Sequence, residues 1–177
     1  MAHRSLNSSV EDIRTLTATP KLFRSKCGYI MAMGVSLNRP IEELHDFIDR
    51  SKVGFIPVSM ISSIRHLIMA AHRACRAFKE GKNIADAFVY ELAICLTGSR
   101  EISRIRSQII QKLDDYVLVI IDSSPLACKD HLLSLLYSAA ISPKNVEFPP
   151  RFIDLPTCSG LEDTLSMENG AIVELDR

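Results

Sequence analysis

The stretch SSIRHLIMAAHRACRAFKEGKNIADAFVYELAICLTGSREISRIRSQIIQK, residues 62–112, decides the fold of this chain. Its apolar residues recur at helical spacing, which predicts three consecutive helices, the third with Ile102, Ile105 and Ile109 facing inward. Gly81 and Gly98 mark the breaks between them, because glycine readily adopts the left-handed conformation that ends many helices. The segment 85–97 is apolar almost all round, so the second helix is expected to be the core helix of the domain.

Outside this stretch the sequence predicts strands and two further helices. The apolar runs GYIMAMGVSL (28–37), VGFIPVS (53–59) and YVLVIID (116–122) are typical of buried strands, and the last is the strongest of the three. Helices are expected over 40–51 and 125–140. Strands interleaved with helices predict an α+β fold with α/β-type layering, in which a small mixed β-sheet packs against a helical layer.

The length of 177 residues fits a single domain. We expect that domain to cover residues 1–144. Residues 145–177 read as an acidic C-terminal tail, partly ordered, because this segment holds seven acidic residues against two arginines and several prolines. A short additional strand is possible over 170–176.

Composition excludes several classes of protein. An apolar fraction of 47% excludes a disordered chain. Apolar runs long enough to cross a membrane and the apolar core of a signal peptide are both missing, so a cytoplasmic protein is expected, also nuclear if the source is a eukaryote, with no membrane partner. The cysteines are isolated and show no CxxC spacing, which argues against a zinc or dithiol site; no metal or cofactor is expected. They are Cys27, Cys75, Cys95, Cys128 and Cys158.

Motifs of catalysis are missing from the sequence, so no catalytic residue is assigned and a non-enzymatic protein is expected. Its glycines form no phosphate-binding loop, and neither HExxH nor GxSxG occurs. Glu91 is the one unusual acid, because it lies inside the apolar second helix. It is either a general base or, as we favour, the partner of an arginine on a neighbouring helix, since a lone buried carboxylate is costly.

Positive charge is concentrated in the helical stretch. Residues 62–112 hold nine lysines and arginines against four acids, whereas the whole chain has no net charge. The turns KEGKN (79–83) and TGSR (97–100) are expected about 20 Å apart, at opposite ends of the second helix. The helix start at Ser99, with free backbone N–H groups beside Arg100, is a candidate anion site. Charge and periodicity alone leave two readings open, a polyanion-binding surface and a solvated helix face. The candidate cations are Arg73, Arg76, Lys79, Lys82, Arg100 and Arg104.

The order of short motifs in this stretch matches a known pattern. It runs His66-Leu67, Arg76-Ala77-Phe78, Gly81-Lys82-Asn83-Ile84, an embedded Glu91, and Gly98-Ser99-Arg100-Glu101-Ile102. This series resembles the small kinase-binding subunit of the KEOPS complex. The resemblance extends over about residues 52–122, and it is specific in the order and spacing of the pieces rather than in any one of them.

The resemblance implies a non-catalytic subunit of a tRNA-modification complex. KEOPS makes threonylcarbamoyladenosine at the adenosine next to the anticodon. The subunit binds the small atypical kinase of the complex, supports its ATPase activity, meets the other subunits indirectly and, at least in archaeal members, holds the single-stranded 3′ CCA end of tRNA. The six cations named above are then candidates for tRNA contact, and the candidates for kinase contact are Leu132, Leu133 and Leu136.

Two rival functions remain open on the sequence. The first is a purely structural adaptor that binds proteins but no RNA. The second is a small enzyme that uses Glu91 in a pocket.

Overall fold

The computed structural model describes residues 15–46, 52–110 and 115–149. The strands are β1 (Thr15–Leu16), β2 (Lys21–Ser25), β3 (Gly28–Leu37), β4 (Val53–Pro57), β5 (Tyr116–Asp122), β6 (Ile141–Pro143) and β7 (Val146–Glu147). The α-helices are α1 (Ile64–Lys79), α2 (Phe88–Thr97), α3 (Ile102–Ile110) and α4 (Pro125–Tyr137), with short 3-10 turns at Glu43–Asp46 and Val58–Met60. The expected α+β single domain is confirmed.

A five-stranded sheet forms the centre of the domain. Its order is β2-β3-β5-β4, β6 pairs with β3, and β1 pairs with β7 in a separate two-stranded sheet. A mixed sheet was expected, but each pairing between the described strands is antiparallel. The strands at 28–37 and 116–122 have the predicted bounds. They are neighbours in the sheet even though the three central helices separate them in sequence.

Strand β5 is covered on both faces, because all seven of its residues are buried. Helices α1, α2 and α3 form a layer in which α2 contacts both of the others, and α4 packs on β3 and β5 without belonging to that layer. Gly54 in β4 lets α2 come close, since a β-carbon there would lie 3.3 Å from the Val89 α-carbon. Two-sided burial explains why β5 is apolar as far as Ile121 rather than alternating.

The breaks of the helical layer lie where the glycines predicted them. The Ser63 hydroxyl accepts the His66 N–H at 3.1 Å and so caps the start of α1. Gly81 follows α1 with φ at 64°, and Gly98 follows α2 with φ at 69°. Both values lie in the left-handed region that glycine adopts without strain.

Three expectations about the helices need correction. The second helix begins at Phe88 rather than at residue 85, because the N–H groups just before it bind a side chain instead of continuing the helix. Ile102, expected to face inward, is 39% exposed, whereas Ile105 and Ile109 are buried as expected. Of the helix expected over 40–51, the structure shows a 3-10 turn at Glu43–Asp46; residues 47–51 lie outside the described residues.

The packed domain continues past the boundary expected at residue 144. Strand β7 pairs with β1, with Val146 opposite Leu16, and both side chains are buried. Phe148 is buried as well. Residues 150–177, including the strand considered for 170–176, lie outside the described residues.

At Gly34 in β3, the residues that flank β1 and β7 come into direct contact with the central sheet. Its N–H donates to the Thr17 carbonyl at 3.2 Å, and its carbonyl accepts the Lys144 N–H at 2.9 Å. A β-carbon at this position would overlap the Lys144 carbonyl oxygen and lie 3.0 Å from a methyl group of Val146. The two sheets can therefore pack this closely only with glycine at position 34.

Candidate functional site

Glu91 organises the turn between α1 and α2. Its Oε2 atom accepts the N–H groups of Ile84 at 2.8 Å and Ala85 at 2.9 Å, and the residue is only 4% exposed. The Asn83 side chain donates to the Ala85 carbonyl at 3.0 Å in the same turn. Glu91 therefore binds backbone N–H groups, and not an arginine of a neighbouring helix as we expected from the sequence. Two charge-assisted hydrogen bonds offset the cost of burying the carboxylate.

We call residues 80–87 the clamped turn. Its backbone is fixed from inside by Glu91, while four of its side chains are exposed, those of Glu80, Lys82, Ile84 and Asp86. Ile84 is 47% exposed, and the Lys82 side chain is 74% exposed. An exposed apolar group beside a cation can contact a partner that carries both apolar and anionic groups.

The structure places all six candidate cations on the surface, four on α1 and the clamped turn and two at or just before the start of α3. The group near the clamped turn is partly neutralised, because Glu80 lies 2.8 Å from the Lys82 ammonium and 3.7 Å from Arg76 Nε. The ten residues of α2 span about 15 Å, less than the distance expected from a longer helix. The first group is Arg73, Arg76, Lys79 and Lys82, and the second is Arg100 and Arg104.

The start of α3 was considered as an anion site because free N–H groups would lie beside Arg100. Ile102 is the first residue of α3. The Ser99 hydroxyl accepts the Glu101 N–H at 3.3 Å, so one of the free amides already has an internal acceptor. Arg100 itself is exposed.

Helix α4 holds the leucines considered for kinase contact. Leu132 is buried in the core, and Leu133 and Leu136 are half-buried. The surface of the helix carries two other large apolar residues, Leu126 at 66% exposure and Tyr137 at 85%. These two lie eleven residues apart, about three helical turns, so they share one face with Leu133 between them. Sequence reasoning missed Tyr137, because one aromatic residue at a helix end gives no signal of its exposure.

A cleft of about 380 Å³ opens beside the carboxyl end of β5. Sequence reasoning missed it, because the residues that line it come from five separate segments with no shared motif. They are Cys27, Lys52, Cys75, Phe78, Lys79, Phe88, Ile121, Asp122 and Ser123.

Asp122 is the most strongly held polar group of the cleft. Its carboxylate receives hydrogen bonds from the Lys52 ammonium at 2.9 Å and from the N–H and hydroxyl of Ser123 at 2.6 and 3.1 Å. His131 Nε2 on α4 lies 3.3 Å away. Burial alone would raise the pKa of Asp122, but the hydrogen bonds from Lys52 and Ser123 outweigh it and lower the pKa to about 2.

This network predicts a loss of stability in acid. A carboxyl group whose pKa is lowered by folding stabilises the protein above its unfolded pKa of about 4, and that stabilisation is lost as the pH falls towards 2. We expect Asp122→Asn to be less stable than the wild type at pH 6 by up to about 2 kcal/mol, with the difference shrinking between pH 4 and 2. Urea denaturation across this range measures it. A constant difference at all pH values would contradict the expectation.

No protein-family model matches the chain, and no curated protein matches its sequence. Among the described residues, no three histidine, cysteine or acidic side chains are grouped so that they could hold a metal ion. In the same residues, no helix is both long and apolar enough to span a membrane. The motif order and the geometry above are what bear on function.

Proposed function

We propose that this chain is the non-catalytic KEOPS subunit that binds the small atypical kinase and helps recruit tRNA through its 3′ CCA end. The observation that carries the proposal is the clamped turn. The pieces of the motif series that are separate in sequence, Gly81 to Ile84 and Glu91, meet in one hydrogen-bonded unit. Under this proposal the protein acts in the cytoplasm and, in a eukaryote, also in the nucleus.

The role of Glu91 in the turn supports a binding protein over an enzyme that uses this residue. Its Oε2 atom is occupied by two backbone N–H groups, and the residue is not among those lining the cleft. A general base must reach the proton of a bound substrate. The small-enzyme alternative therefore gains no support from Glu91.

The clamped turn offers contacts suited to a single-stranded RNA end. Such ends are bound by cations that neutralise phosphates together with apolar or aromatic groups that touch unstacked bases. Lys82 provides charge in the turn, with Lys79 just before it at the end of α1, and Ile84 provides an exposed apolar surface two residues from Lys82. Arg100 and Arg104, about 15 Å away along α2, can meet a phosphate several nucleotides further on.

The kinase contact is proposed for α4. Its face with Leu126, Leu133 and Tyr137 exposes more apolar surface than a solvated helix needs. Helix α4 also lies apart from the α1–α3 layer, so a kinase bound there leaves the clamped turn accessible.

Variants of Ile84 test the tRNA half of the proposal. We expect Ile84→Ala to weaken binding of a CCA-ended tRNA about tenfold, because it removes a base contact while the backbone hydrogen bond to Glu91 stays. Removing CCA from the tRNA should have a similar effect on the wild type and little further effect on the variant. Ile102→Ala, which shortens another exposed isoleucine, is the matched control. Gel shift at fixed salt measures wild type, Ile84→Ala and Ile102→Ala, each with the intact tRNA and with the tRNA that lacks CCA.

Co-elution with the cognate kinase on size exclusion tests the other half. A kinase complex without CCA-dependent RNA binding would favour the adaptor without RNA binding. If neither the kinase complex nor the RNA complex forms, the proposed function is wrong. Binding through several phosphates should also weaken steeply as salt rises.

A further inference from the structure

We propose that the cleft beside the carboxyl end of β5 binds a small amphipathic monoanion, with an apolar or aromatic body and one carboxylate or sulfonate group. Apart from Lys79, this site shares no residue with the proposed RNA and kinase contacts, and Phe78 is its one residue from the motif series. Its volume of about 380 Å³ lies in the range of small-molecule pockets.

The walls of the cleft suit the apolar body of such a ligand. Phe78 and Phe88 approach from α1 and α2, and Ile121 comes from β5. The thiols of Cys27 and Cys75 complete this side, and Cys75 Sγ lies 3.5 Å from the Cys27 carbonyl oxygen. Aromatic and aliphatic walls with few polar groups are the usual lining of sites for small organic molecules.

The Cys75 thiol stays neutral at physiological pH and so adds to the apolar wall. Burial raises its pKa to about 12, with a further contribution from the neighbouring Cys27 thiol, and the Lys79 ammonium only partly opposes this. A buried neutral thiol packs like a small hydrophobic group.

The charges of the cleft favour a single negative group on the ligand. Lys52 and Asp122 neutralise each other at 2.9 Å. Lys79 is the remaining cation on the lining, and among the described residues no carboxylate lies within ion-pair distance of it. The adjacent acid, Glu80, is bound by Lys82 and Arg76 instead. An anionic group on the ligand can therefore pair with Lys79 at the mouth while the body fills the apolar part.

Lys79 also belongs to the candidate cations for tRNA. A ligand in the cleft would occupy this one cation and leave Lys82 and Ile84 in the clamped turn accessible. Occupancy of the cleft is thus expected to weaken RNA binding slightly rather than abolish it.

The fluorescent monoanion 1-anilinonaphthalene-8-sulfonate tests the proposal on the full chain. Its emission rises in an apolar site, and the chain has no tryptophan that would interfere. We expect saturable binding at one site per chain, weakened about fivefold by Lys79→Gln, since the pairing with the ammonium is lost. Lys82→Gln is the matched control, because Lys82 is exposed and does not line the cleft. The neutral analogue N-phenyl-1-naphthylamine should bind the wild type and both variants equally.

Ser123→Phe provides a second readout that does not depend on charge. Ser123 is an exposed residue of the lining, so a ring at this position fills the mouth and should abolish binding of both probes. Circular dichroism confirms that each variant is folded. Equal sulfonate binding by wild type and Lys79→Gln would overturn the proposal, and so would probe binding that survives Ser123→Phe or shows several weak sites.

Discussion

Replacing Glu91 with alanine is expected to lower the free energy of unfolding by about 3 kcal/mol. The change removes the acceptor of two N–H groups, that of Ala85 in a buried hydrogen bond and that of Ile84 in a part-buried one. Each unsatisfied donor of this kind costs about 1–3 kcal/mol. Urea denaturation of the wild type and the variant measures the difference.

The glutamine variant separates the hydrogen bonds from the charge. Glu91→Gln keeps a carbonyl oxygen in the same place, so we expect it to lose about 1 kcal/mol. Glu101→Ala is the matched control, because Glu101 is exposed, and it should change stability by less than about 0.5 kcal/mol. Equal stabilities of wild type and Glu91→Ala would mean that the clamped turn does not depend on this carboxylate. The tRNA affinity of Glu91→Ala should fall as well, since the turn that presents Ile84 loses its fixed shape.

Gly34→Ala is expected to destabilise the domain by at least about 3 kcal/mol. The new methyl group would overlap the Lys144 carbonyl oxygen, and a backbone atom cannot move aside as a flexible side chain can. The two-stranded sheet of β1 and β7 would have to shift away from β3. That shift would expose the buried side chains of Leu16 and Val146. Thermal unfolding and urea denaturation measure the loss.

Gly81→Ala is the matched control for Gly34→Ala. Gly81 has φ at 64°, and a β-carbon there meets no atom within 4 Å. Its cost is therefore only the strain of the left-handed conformation, about 1 kcal/mol. If both variants lost the same stability, close approach of the two sheets would not be what requires glycine at position 34.

The sequence predicted the elements that have a regular pattern and clear ends. The strands at 28–37 and 116–122 and the breaks at Gly81 and Gly98 follow from apolar runs and glycine chemistry, which are local signals. The antiparallel order of the sheet could not be predicted, because pairing depends on contacts between distant segments. The start of α2 was misplaced for a similar reason, since a side chain seven residues further on captures the amides of the turn.

The candidate site likewise has parts that the sequence predicted and parts that it did not. Lys82 and Ile84 could be singled out because they belong to one contiguous motif. The burial of Glu91 was expected from the sequence, but its partner was not. The carboxylate binds backbone amides rather than an arginine because of the path that the turn takes. The cleft around Asp122 was invisible in the sequence, since Lys52, Lys79 and Ser123 come together only when the sheet and the helical layer are assembled.

The pairing of β3 with β5 determines when, during folding, the clamped turn and the cleft can form. Tyr29 lies opposite Asp122 and Val35 opposite Tyr116, so the chain between the two strands is a closed loop of roughly 80–90 residues. Folds that depend on such distant pairs form slowly, because the entropy of closing the loop is lost before its contacts are gained. During synthesis, α1 and α2 leave the ribosome well before β5, which pairs with β3 and β4 in the sheet that these helices pack on and supplies one wall of the cleft. A nascent chain is thus expected to reach RNA- and ligand-binding competence only after residue 122 has emerged.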